Sequence, residues 1–111
     1  MSFFYDAARR SEMDMLKCPG CDNEYLHQNI VNVFCRDEDK DVMLVTVDNI
    51  SGDIQTTKNA HPKNNPSPRR QALSILFKCE LCNHAPVLTI LQHKGGTYIH
   101  WGVQNATNPT R

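Results

Sequence analysis

Two C-x-x-C pairs, "CPGC" at Cys18 and Cys21 and "CELC" at Cys79 and Cys82, hold four of the five cysteines in the chain. A tight turn between cysteines three apart lets both sulfurs reach one ion, while backbone N–H groups face the thiolates and share their charge. Pro19 and Gly20 supply the bend of the first pair, and Asn83 and His84 follow the second. Two such turns suit a tetrahedral four-cysteine site for one structural Zn²⁺ per chain. The same four thiolates suit an iron–sulfur centre. Each pair alone has the spacing of a redox dithiol, although neither opens a helix in a βαβ context. His84, two past Cys82, reads as a neighbour of the site, and Cys35 reads as a small core residue on an apolar strand face. A closed four-cysteine site has no open coordination position for water, so its contribution is to folding.

No Gly-rich phosphate loop, nucleophile elbow or metal-hydrolase motif accompanies the cysteines, so neither an enzyme nor a small-molecule substrate is expected.

The elements that must position the cysteines read as strands. "IVNVFCR" (30–36) sets Val31, Val33 and Cys35 on one face and Asn32, Phe34 and Arg36 on the other. "DVMLVTVD" (41–48) alternates in the same way through Met43, Val45 and Val47. A turn at "NISGD" leads to a short strand near "DIQTT". "KNAHPKNNPSPRR" (58–70), with three prolines, reads as a long irregular loop. "ALSILFKC" (72–79) points Leu73, Ile75, Phe77 and Cys79 one way and delivers the second cysteine pair. Residues 86–103 read as a hairpin around a two-residue loop, Gly95–Gly96, which would set Ile90 opposite Trp101 and Gln92 opposite Ile99. The expected fold is mostly β, of antiparallel strands and hairpins, and with its two cysteine turns it resembles an elaborated zinc ribbon. Phe4, Ala8 and Met15 fit one face of a short N-terminal helix.

The 111 residues divide into an N-terminal arm (1–15), one β domain (16–103) and a polar tail (104–111). No run of about 18 apolar residues is available to cross a membrane. The start has no basic region followed by an apolar stretch, so a cytoplasmic, reducing location is expected, where paired cysteines are more often ligands than disulfides. The sequons at Asn49 and Asn105 would then carry no sugar.

A net charge of zero hides an asymmetry. Residues 1–56 hold five Lys and Arg against eleven Asp and Glu, whereas residues 57–111 hold seven against one. Either the two halves present separate surfaces, or they pair within one fold and neutralise each other. The candidate partner-binding residues are Asp37, Glu38, Asp39 and Asp41 on the acidic side. On the basic side they are Lys58, Lys63, Arg69 and Arg70, joined with His61 on a flexible loop free of acids. Such a loop suits phosphate backbones, and Tyr98 and His100, with His93, could stack on bases.

Taken together, "CPGCDNEYLHQ", "VNVFCRDED", "NPSPRRQAL", "FKCELC" and "VLTILQHKGGTYIHW" resemble small zinc-ribbon proteins of phages and mobile elements, over residues 16–101. In a ribbon each metal knuckle ends a β-hairpin. Here 57 residues separate Cys21 from Cys79, beyond the 15–20 or so of a compact ribbon, so the middle is an insertion that adds strands. The resemblance implies a protein phage-encoded and at work in the host cytoplasm. It would bind a protein or nucleoprotein complex, including as an inhibitor of a nucleic-acid-guided defence nuclease whose nucleic acid the acidic segment 37–53 would mimic. Direct nucleic-acid binding in transcription or replication is the alternative.

Overall fold

The computed structural model describes residues 15–104; the expected N-terminal helix and all of the tail but Gln104 lie outside them. Six strands form one antiparallel sheet: β1 Leu26–Cys35, β2 Val42–Asp48, β3 Ile54–Ala60, β4 Ala72–Cys79, β5 Ala85–His93 and β6 Gly96–Gln104. Their order across the sheet is β3-β2-β1-β4-β5-β6. The fold is therefore two three-stranded meanders, β1–β3 and β4–β6, laid side by side and joined along β1 and β4. No α-helix occurs among the described residues.

The alternation of branched residues positions the strands, because a period of two sends each set of side chains to one face. Register carries two rows across the full width of one face. Ile54, Val47, Val31, Ile75, Leu88 and Trp101 form the first row, and Thr56, Val45, Val33, Leu73, Ile90 and Ile99 the second. The opposite face carries a polar row in register, Gln55, Thr46, Asn32, Ser74, Thr89 and His100, in which Thr46 donates to Asn32 Oδ1 at 2.7 Å. Beside that row Phe34, Val42, Ala60 and Ala72 are buried, with Leu44 and Leu91 packed on them. Cys35 closes β1 opposite Met43, half-buried on the apolar face.

The hairpin corrects one expectation. Ile90 pairs with Ile99 and Leu88 with Trp101, so the loop is Lys94–Gly95 and not Gly95–Gly96. Both loop residues take positive φ, 49° and 82°, as a primed turn demands. Starting the turn one residue earlier shifts each pairing by two positions, which preserves the apolar face; periodicity alone could not separate the two registers.

The long loop is also shorter than expected. β3 runs on through Lys58, Asn59 and Ala60, with a bulge opposite Val42–Leu44 and Asn59 at a φ of 57°. Pro62–Asn64 then forms a single 3₁₀ turn capped by His61, whose Nδ1 accepts from Lys63 N. The rest of the loop is tied down. Ser67, 1% exposed, donates from Oγ to the Gln92 carbonyl at 2.6 Å and accepts from Arg70 N at 3.0 Å. Asn65 Nδ2 donates to the Arg70 carbonyl, and its Oδ1 accepts from Ser67 N. Removing the hydroxyl leaves a donor and an acceptor without partners, so Ser67→Ala should destabilise the fold by about 2–3 kcal/mol in urea unfolding.

Candidate metal centre

Each cysteine pair is placed by the join between β1 and β4. Pairing of Leu26 with Cys79 sets the turn that precedes β1 beside the turn that follows β4. The Glu80 N–H donates to the Tyr25 carbonyl across that join at 3.1 Å, and His27 Nε2 pairs with Glu80 Oε2. The first knuckle closes on itself: Asp22 N donates to the Cys18 carbonyl and Cys18 N to the Asn23 carbonyl, both at 2.7 Å. Asp22 takes a φ of 64° to complete the bend. A Cβ at Gly20 would lie 2.6 Å from Nδ1 of the exposed His84 ring, which would have to swing aside.

Four sulfurs converge between the two turns. All lie within 4.8 Å of one another, with Cys18 Sγ 3.6 Å from Cys82 Sγ and Cys21 Sγ 3.5 Å from Cys79 Sγ. Cys18 and Cys79 are buried, Cys82 half-buried and Cys21 exposed. Sulfurs at about 2.3 Å from a tetrahedral ion stand about 3.8 Å apart, so the donor set fits a single ion. These four cysteines can hold a metal ion.

Backbone donors prepare the thiolates unevenly. The Leu81 N–H is the main influence on Cys79 and holds it at about 7, below the usual thiol, against some burial. Cys21 is pushed up to about 12: the Asn23 N–H lowers it, but burial and the three neighbouring thiols outweigh that. Cys82 is also raised, since burial and the thiols of Cys79 and Cys18 outweigh the lowering by the His84 N–H. Gly20 N donates to Cys18 Sγ at 3.3 Å. Four thiols in one space cannot all ionise without a cation, and metal loading therefore releases protons.

The site differs from a ribbon in one respect. The second knuckle is the β4–β5 hairpin loop, but the first leads into β1 with no strand before it among the described residues. His84 lies exposed over Gly20, outside the set of four sulfurs.

The other candidate residues do not share one surface. Asp37, Glu38, Asp39 and Asp41 are exposed around the β1–β2 turn. Arg69 binds Asp39 through Nε at 2.9 Å and NH2 at 2.6 Å, and Arg70 reaches Glu38 at 3.4 Å. Asp39 N donates to the Arg69 carbonyl, and Arg36 donates to the carbonyls of Lys40 and Pro68. The basic loop has no acid of its own but is not loose; it is fastened to the acidic turn, and the two halves of the charge asymmetry neutralise each other here. Lys58 lies on edge strand β3 and Lys63 in the 3₁₀ turn, both exposed. Tyr98 and His100 are exposed on β6, the far edge, about 24 Å from β3 by five strand spacings. Thr89, from the same hairpin face, is buried.

Sequence reasoning missed the His27–Glu80 pair, because only the β1–β4 register brings residues 53 apart together. The acidic turn carries a pH dependence. Arg69 holds the Asp39 carboxyl below the usual range, first through their hydrogen bonds. A depressed carboxylate stabilises the fold above its unfolded value, and this stabilisation disappears as pH falls through the folded value. Asp39→Asn should remove that acid-side dependence with a small loss at neutral pH, because the pair is solvent-exposed. Urea midpoints of the two proteins should converge as pH falls through the lowered Asp39 value.

No helix among the described residues is long and apolar enough to cross a membrane. Compared with protein-family models, curated proteins and solved structures, the chain matches none of them.

Proposed function

We propose that the chain is a non-enzymatic binding module whose sheet is closed by one structural Zn²⁺ on Cys18, Cys21, Cys79 and Cys82, and whose partner is a protein or nucleoprotein complex. The observation that supports the metal part of this reading is the four-sulfur set itself, with spacings near those of a tetrahedron around one ion. A multi-iron cluster puts its thiolates on separate irons and spreads them further, so the short sulfur separations favour a single ion. With four thiolates the ion has no position left for substrate or water, and its chemistry is to hold the chain. Mimicry of nucleic acid by the acidic turn is not part of the proposal, because Arg69 and Arg70 already engage Asp39 and Glu38.

Direct nucleic-acid binding remains a second reading on one observation. Arg69, Arg70, His93 and Lys94, with Glu38, line one small hollow, and the His93 ring lies 6.4 Å from that of Tyr98. Metal analysis and a salt titration test the two readings. One zinc per chain, with four thiols protected from alkylation until a chelator is added, is the expected result. Iron and sulfide in place of zinc would end the first reading's metal assignment. Tight binding to a generic duplex or single strand, weakening steeply with added salt, would favour the second reading.

A further inference from the structure

We infer that the apolar face of the sheet is a docking surface for a second copy of this chain, two sheets stacking face to face into a sandwich. Of the twelve positions in its two full-width rows, eleven are apolar and the other is Thr56; none is charged. A sheet buries such a face against another layer, yet strand packing runs between sheet neighbours, and no helix or second sheet lies over the face among the described residues. Ile54 is 68% exposed at one edge and Ile99 is 65% exposed at the other. Between them an apolar hollow of about 320 Å³ opens along Val33, Leu73 and Ile90.

The opposite face answers why this one is special. Its large apolar residues already have a core within the chain, Phe34, Val42, Ala60 and Ala72, and Ser74 and Thr89 of the polar row are buried beside them.

Size and charge favour a second copy as a weakly held occupant. Six strands about 4.8 Å apart, over two rows that span about four residues of each strand, give about 400 Å² per copy. Two copies would then remove about 800 Å² from water, the size of a weak interface that forms only at high concentration. A two-fold axis sets the same patch against itself, which demands that it carry no charge to repel its image, and the two rows carry none. Trp101, half-buried against Phe77 with ring centroids 5.7 Å apart, supplies the kind of aromatic anchor that dominates such interfaces.

Sedimentation equilibrium of the zinc-loaded full chain, from micromolar to hundred-micromolar, tests the inference. A mass near twice the 12.6 kDa of the chain is expected at the upper end. Ile54→Lys with Ile99→Lys, both at exposed positions, should raise the dissociation constant at least tenfold with zinc content and far-UV circular dichroism unchanged. Tyr98→Lys, one residue away on the opposite face, should leave the mass as it is. A monomer throughout the range overturns the inference, as does a dimer indifferent to the double lysine variant. A monomer that dimerises only when Phe3→Ser and Phe4→Ser are introduced would overturn it too, by giving the face to the chain's own residues 1–14.

Discussion

Cys79→Ser is expected to leave the chain unfolded at 25 °C, with the dispersed amide spectrum of the sheet collapsed and no metal ion retained. Cys79 closes β4, is 2% exposed, and faces Cys21 across the join between the two meanders. Metal binding in small zinc domains contributes about 10–16 kcal/mol to folding, while a domain of this size has a net stability of about 5–15 kcal/mol. Losing one thiolate of four removes most of that contribution, and serine's oxygen is a poor replacement. The same result should follow from a strong chelator added to the native protein, reversed on returning the metal. Cys35→Ser is the control: its half-buried sulfur lies at the far end of β1, and the variant should keep its metal and its fold. A Cys79→Ser protein that stays folded would show that the sheet stands without the ion.

The second large effect belongs to Phe34. Its ring is 5% exposed and packs with Val42, Ala60 and Ala72, residues drawn from β1, β2, β3 and β4. Phe34→Ala should cost about 3–5 kcal/mol in urea unfolding, the sum of lost transfer energy and the cavity left behind. That loss would consume much of the stability the domain has. Tyr98→Ala, at a ring 55% exposed, should shift the midpoint far less.

The strands were legible because their chemistry is local. Alternation in 30–36, 41–48 and 72–79 is enough to place Val31, Val45 and Ile75 on one face, and they are there. The cysteine spacing likewise foretells a four-sulfur site, since only a few arrangements of two C-x-x-C turns serve any chemistry. What escaped is what depends on pairing between distant segments. The acidic turn and the basic loop read as two surfaces until Asp39 and Arg69, 30 residues apart, are seen bonded to each other. Lys58 read as loop because proline-rich sequence follows it, yet its neighbours on β2 hold it in a strand. The hairpin register escaped for a different reason: Lys94 accepts a left-handed backbone that the sequence would sooner assign to glycine.

The place of the four sulfurs at the join between the meanders has a kinetic meaning. Pairings within each meander link residues close in sequence, whereas Leu26 and Cys79 must find each other across more than fifty residues. Closing a loop of that length is slow in proportion to the entropy it forfeits. A metal ion captured early by either knuckle would turn that search into recruitment of the other, so refolding should quicken as the free metal ion rises and then level off once capture no longer limits the rate. A cell short of the metal would then accumulate half-assembled chains, each meander formed and the seam still open.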